Sequence, residues 1–322
     1  MIPFFALLVS FITAVVATPV FRRFAVKHEI VARQNHRTIH KGQIPKLGGG
    51  AVIFSFLTGA LFFYVLKPSF WAAKQAEIAS LVLGATGLFI LGAFDDKKDL
   101  NCNLKLFVET ALALLAVHFG WRMEKLILLA DRSIELGFWS YPLSILWIVG
   151  ITNAFNMIDG LDGLAGGVAV VVLICSSAIA LLMGNTVLVP LMLSLIGATV
   201  GFLRYNMHPA SIFMGDSGSL SIGFLLACLT LGASSTTGSV SPLLLFLLLG
   251  LPIVDTALAI FRRLRRGIHP FHADREHIHH RLVALGLTQP GASATMIGLS
   301  LILGIMAFLA AYTLYLGLHL MN

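Results

Sequence analysis

The sequence predicts an all-α integral membrane protein of about ten transmembrane helices, with both termini outside. Three observations carry that reading. Of the 322 residues, 57% are hydrophobic and only 11% are charged, against about 25% charged in an average soluble domain. Mean hydropathy is +0.90. Nearly every charge falls in short gaps between long apolar runs, and alternate gaps are rich and poor in polar residues.

The runs give spans, in order, at 2–20, 48–66, 78–94, 104–120, 138–152, 163–183, 187–203, 217–232, 242–260 and 292–316. A span needs about 17–25 apolar residues, so several are short. Such helices can stop where a polar loop dips into the bundle, provided protein or water lines the dip. The first run ends in VVATP, which resembles a signal cleavage site. It lacks a basic leader, however, and Arg22 and Arg23 follow it, so it reads as an uncleaved first span. No linker or low-complexity stretch divides the chain, and 1–322 reads as one domain. Cys102, Cys175 and Cys228 are far apart and read as small apolar packers.

Sidedness follows from Lys and Arg. One set of gaps holds seventeen of the 22 basic residues; the other holds Lys67, Lys74, Arg122, Lys125 and Arg132. The first set is therefore expected in the cytoplasm. The net charge of +7 is mostly this topology signal. Nucleic-acid binding is excluded as a reading, because the basic residues flank spans and lack interleaved aromatics.

The polar gaps carry the chemistry. Asp95 and Asp96 end the third run. Adjacent carboxylates repel unless they share a cation or proton, which suits Mg²⁺ and phosphate or simply a helix end neutralised by Lys97 and Lys98. In NAFNMIDGLDGLAGG, residues Asn153, Asn156, Asp159 and Asp162 recur every three positions. Such a row drifts by about 60° per step on a helix, so Asn156 and Asp159 are the pair expected to converge, while Asp162 suits an N-cap of the sixth span. In FMGDSGS, Asp216 opens the eighth span, either as N-cap or as metal ligand. Gly215 and Gly218 would let backbone N–H groups face a phosphate, and Phe213 has the reach to stack on a base. The segment RRLRRGIHPFHADREHIHHRL holds His269, His272, His277, His279 and His280 beside Arg275 and Arg281. Without Cys or HExxH, it reads as a polyanion binder rather than a zinc site. HRTIHKGQIPKLGGG adds Lys41 and Lys46 before a Gly run.

These four motifs, from Asp95–Asp96 to ADREHIHHRL, stand in the order and spacing of the polyprenyl-phosphate N-acetylhexosamine-1-phosphate transferases. The chain resembles their WecA/TagO branch more than MraY, which differs in its His-rich loop. The resemblance implies a bacterial inner-membrane enzyme with its active site facing the cytoplasm. It implies transfer of GlcNAc-1-phosphate from UDP-GlcNAc to undecaprenyl phosphate with release of UMP, using Mg²⁺ or, as a substitute, Mn²⁺. That reaction initiates a cell-surface polysaccharide of the O-antigen, common-antigen or teichoic-acid type. Carried over by motif, Asp216 and Asn156 would hold the metal. Phe213 and Asn153 would meet the nucleotide, and Lys105 and Lys46 the carrier phosphate. His277, His279, His280 and Arg281 would engage the sugar diphosphate, and Asp95, Asp96 and Asp159 are the catalytic carboxylates. Asp255 would support the site from the ninth span. Membrane lipid is the expected surround, and a homodimer is one assembly the family admits.

Alternatives remain open at this level. Another UDP-N-acetylhexosamine would suit the same motifs. A CDP-alcohol phosphotransferase needs DGxxAR, but after Asp162-Gly163 the glycines Gly166 and Gly167 stand where Ala and Arg are required. An organic-anion transporter would place its polar groups near the midplane; here they crowd one face.

Overall fold

The computed structural model describes residues 2–32, 44–129, 132–236, 239–267 and 277–320. Twelve α-helices make up most of it: α1 (Ile2–Lys27), α2 (Gly48–Leu66), α3 (Gln75–Lys98), α4 (Cys102–His118), α5 (Ser140–Ile158), α6 (Leu164–Leu182), α7 (Val189–Asn206), α8 (Gly215–Ala233), α9 (Pro242–Leu248), α10 (Gly250–Arg265), α11 (Ile278–Ala284) and α12 (Gln289–Leu320). Each of the ten apolar runs falls on this helical framework. Among the described residues, eight helices are long and apolar enough to cross a membrane. The ninth run is broken into α9 and α10, which meet at 84°. Helix α4, of 17 residues, reaches span length only marginally, so the count of ten depends on including it.

The all-α reading holds, and one small sheet accompanies the helices. Four short strands, β1 (Lys125–Leu129), β2 (Arg132–Glu135), β3 (Ser235–Thr236) and β4 (Ser239–Val240), form a sheet in the order β2-β1-β4-β3. They join the α4–α5 and α8–α9 connections through the parallel β1–β4 pair. Leu126 of β1, with Leu136 and Trp147, packs on a small buried cluster of Met123, Leu231, Val240 and Leu245. This sheet lies at the bundle end opposite the motifs.

Helix α8 is the axis of the bundle. Every residue from Ser217 to Leu231 is buried, with α2, α3 and α5 packed around the helix. Small residues make the close approach possible, because packing rather than hydrophobicity joins helices in lipid. A β-carbon at Gly49 would collide with the backbone of Gly218, and one at Gly92 with the backbone of Asp216 and Ser217. The start of α8 is thereby pressed between α2 and the end of α3. The α8 hydroxyls turn inward on their own helix, as in Ser221 to the Ser217 carbonyl at 2.7 Å and Thr230 to the Leu226 carbonyl at 2.7 Å. At the periphery, α1 and α12 present Phe4, Ile12, Val16, Ile302 and Leu309 outward, the apolar surface that a bilayer covers.

Candidate active site

The ends of α3 and α5 and the starts of α4 and α8 meet at one rim, and a continuous polar network crosses them. Asp95 is 6% exposed. Its Oδ2 accepts from Lys105 Nζ at 2.7 Å and its Oδ1 from the Leu100 N–H at 2.7 Å, so it fixes the turn into α4 as well as the lysine. The same ammonium lies 3.4 Å from Asp216 Oδ2. Asp216 Oδ1 accepts from Asn156 Nδ2 at 3.1 Å, and that amide also reaches Ser219 Oγ at 2.7 Å. Four residues that the sequence singles out, on four helices, thus share one network.

The adjacent Asp96 does something else. Successive helical residues diverge by about 100°, and Asp96 turns to the start of α8, where its two oxygens accept from the N–H groups of Asp216 at 3.0 Å and Ser217 at 3.1 Å. It is an N-cap supplied by a neighbouring helix, and it meets donors that the helix itself leaves unpaired. This corrects the expectation that the FMGDSGS N–H groups face a phosphate: Asp96 takes two of them, and the Gly218 backbone abuts Gly49.

Asp162 departs from expectation as well. The N-cap of α6 is Gly163, at φ 72°. Asp162 Oδ2 instead accepts from the Ala210 N–H at 3.0 Å and pairs with His208 Nδ1 at 2.9 Å. With Asn206 bridging the Gly163 N–H and the Ile212 carbonyl, this ties the α5–α6 turn to the loop before Phe213. Phe213 is half-buried. Its N–H donates to the Pro45 carbonyl at 2.8 Å and its carbonyl accepts from the Gly48 N–H at 2.9 Å, which brings half-buried Lys46 to the same rim. Lys41 lies outside the described residues.

One buried carboxylate is absent from the sequence reading. Glu109, 3% exposed, accepts from Asn153 Nδ2, and that amide also donates to the Val149 carbonyl at 2.9 Å. Asn153 is thus committed one turn inside the rim, between α5 and α4. The available signal was a carboxylate one turn after Lys105 in an apolar run, a costly placement.

Asp159 follows the last turn of α5 and has no side-chain hydrogen bond among the described residues. Burial first, then the charges of Asp216 and Asp96, push its carboxyl up to about 7, with Lys46 opposing them. The folded protein therefore holds a proton there that the unfolded chain releases near pH 4. Stability from this group is present at low pH and is lost as pH rises through about 7. Asp159→Asn should accordingly flatten the thermal midpoint between pH 5 and 8 and raise it at pH 8. Midpoints of the detergent-solubilised protein test this; parallel pH curves for the two proteins would refute it.

The His-rich segment is split. His269, His272 and Arg275 lie outside the described residues. His277 and His279 are buried at 6% and 1% exposure, while His280 and Arg281 are exposed. His277 Nδ1 sits 2.8 Å from Oδ2 of fully buried Asp255. The His279 ring stacks parallel to His277 at 5.7 Å and lies so close to Gly160 that a β-carbon there would overlap it. Burial, helped by the charge of His280, lowers the His279 imidazole to about 4, so it is neutral at pH 7. The described end of the segment is nonetheless docked on Gly160, through His279.

Among the described residues, no group of three or more His, Cys, Asp or Glu forms a metal cage. Mg²⁺ does not need one, since it takes one or two carboxylates and completes its shell with phosphate and water. The all-oxygen set of Asp216, Asp159 and the Asn156 amide, with carboxylates close enough to repel one another, fits such a cation.

A membrane-spanning helical bundle with this carboxylate–lysine–amide network at one rim belongs to the class of integral membrane proteins built to handle phosphate at the lipid surface. Residues 78–234 match the family described as Glycosyl transferase family 4. The chain is 38% identical over 286 residues, 88% of its length and 78% of the relative's, to a Bacillus subtilis (strain 168) protein named "Probable undecaprenyl-phosphate N-acetylglucosaminyl 1-phosphate transferase". It is 29% identical over 302 residues, 91% of its length and 79% of the relative's, to the Escherichia coli (strain K12) undecaprenyl-phosphate alpha-N-acetylglucosaminyl 1-phosphate transferase. A Yersinia pestis protein of that same name is 29% identical over 277 residues, covering 84% of this chain and 73% of its own. The chain belongs to the polyprenyl-phosphate N-acetylhexosamine-1-phosphate transferase family.

Proposed function

We propose that this protein transfers GlcNAc-1-phosphate from UDP-GlcNAc to undecaprenyl phosphate, releasing UMP. The relatives' names support the sugar phosphate and the carrier. The observation that carries the reading is the Asp95–Lys105–Asp216–Asn156 network at the rim of an apolar bundle, where a lipid phosphate and a soluble nucleotide can meet.

An oxygen of the carrier phosphate attacks the β-phosphorus of the UDP-sugar. That O–P bond forms as the bond from β-phosphorus to the bridging oxygen breaks, and UMP departs with the bridging oxygen. Little covalent work falls to the protein in such a transfer, and positioning with charge stabilisation dominates. Lys105 supplies positive charge beside the attacking phosphate. Both Asp95 oxygens already accept hydrogen bonds, and a phosphate monoester is mostly dianionic at pH 7, its second pKa being about 6. Asp95 therefore orients Lys105 more than it removes a proton. Asp216, Asp159 and Asn156 would hold Mg²⁺, whose charge would offset that of the diphosphate. His280 and Arg281 are the exposed members of the His-rich motif and suit the sugar diphosphate. The excess of Lys and Arg on this rim supports a cytoplasmic active site in a bacterial plasma membrane.

The test supplies purified protein with radiolabelled UDP-GlcNAc and undecaprenyl phosphate in detergent, with and without Mg²⁺. Label should enter the lipid in equal amount to UMP released, and only when both substrates and Mg²⁺ are present. No labelled lipid would overturn the reading. UMP release without carrier, or label retained on the protein, would overturn the single-step version.

A further inference from the structure

Asp255 is fully buried in α10, next to the break with α9. A carboxylate in such a place is costly unless paired and hydrogen-bonded. Its side-chain partners come from 22 and 23 residues further along the chain: Oδ2 meets His277 Nδ1 at 2.8 Å, and Oδ1 accepts from the Ile278 N–H at 2.7 Å. Both oxygens are thus satisfied only when the end of the His-rich segment is docked.

The pairing also sets the state of the imidazole. An ionised carboxylate can only accept, so the proton of a neutral His277 belongs on Nδ1, leaving Nε2 without a hydrogen-bond partner among the described residues. We propose that Asp255 is the positioning residue for His277: it holds the ring in the Nδ1–H form and seats the segment so that Nε2 serves the sugar-diphosphate side of the site. The packing of the neighbouring His279 on Gly160 gives the seat a second point of contact, directly beside Asp159. The fold places this carboxylate on a different helix from every motif that carries the transfer, and it acts through the His277 ring and the Ile278 N–H that follows it. The proposal rests on the transferase reading, since it names what orients one of that site's groups.

A double-mutant cycle tests it. Asp255→Asn keeps the size and an acceptor for Ile278 but loses the ionised acceptor for the ring. It should lower kcat/KM for UDP-GlcNAc about 10–100-fold, by analogy with the loss on removing a group that orients a metal-ligating histidine. The loss should fall mainly on KM for the nucleotide sugar and leave KM for undecaprenyl phosphate unchanged. His277→Gln should lose a similar factor, and the double variant no more than His277→Gln alone, because residues acting as a unit are not additive. Multiplying losses in the double variant, or Asp255→Asn with unchanged kinetics, would overturn the proposal.

Imidazole nitrogen NMR of the wild-type protein in nanodiscs gives an answer that needs no folded Asp255 variant. The resonance lost in His277→Gln should show the Nδ1–H tautomer, and an Nε2–H tautomer would overturn the assignment. Wild-type protein that makes no labelled lipid would sink the transferase reading, whereas the tautomer result bears on Asp255 alone.

Discussion

Asp216→Ala is expected to lower kcat about 1,000-fold or more, at the upper end of what loss of one preorganised electrostatic group costs, without lowering thermal stability. Asp216 is where the network converges: Lys105 approaches one oxygen and Asn156 donates to the other. Truncation leaves Lys105 with Asp95 alone and the Asn156 amide with only Ser219, so neither is aimed at substrate. It would also remove a principal ligand for Mg²⁺, and residual turnover should no longer respond to added Mg²⁺. The start of α8 should survive, because Asp96 bonds the backbone N–H of residue 216 rather than its side chain. Removing one of several mutually repelling carboxylates should, if anything, raise the melting temperature. Label transfer and thermal unfolding measured on the same preparation decide it. Activity within ten-fold of wild type, or a large loss of stability, would show that Asp216 is a structural cap and not the hub of the site.

The spans and the partners of the network were legible in the sequence for a simple reason. Apolar runs leave few places for charge, so Asp95, Lys105, Asn156 and Asp216 stand out, and alternate gaps must lie on one side. What each carboxylate faces was not legible. Asp95 and Asp96 are neighbours in the chain, yet one binds Lys105 and the other caps α8; the difference depends on how closely α3 and α8 approach at Gly92, which no local pattern encodes. Asp162 looked like a helix cap because it precedes an apolar helix, but a fold that brings Ala210 and His208 to it supplies other donors. Glu109 was passed over because its partner Asn153 is 44 residues away. The small sheet was missed for the same reason: β1 and β4 are short, and only their distant pairing makes them strands.

Lys105→Met should give the second large loss, and a second substitution should separate its two roles. The ammonium lies between Asp95 and Asp216. Without it two carboxylates face each other at a partly buried rim with no charge between them. Breaking a fully buried pair costs about 3–5 kcal/mol. Lys105 is 25% exposed and Asp216 31%, so about 1–3 kcal/mol is the reasonable expectation after solvent screening. The thermal midpoint should fall, and kcat/KM for undecaprenyl phosphate should drop about 100–1,000-fold as the positive charge beside the attacking phosphate is lost. Adding Asp95→Asn removes the repulsion: Lys105→Met/Asp95→Asn should regain most of the thermal stability while staying inactive, because the carrier phosphate still meets no cation. Were activity to return with stability, Lys105 would be a charge-balancing group of the fold, and the carrier phosphate would have to be held elsewhere, with Lys46 the next cation at the rim. Were stability to stay low in the double variant, the Asp95–Lys105 contact at 2.7 Å would matter as a hydrogen-bonded joint between α3 and α4 rather than as a balance of charge.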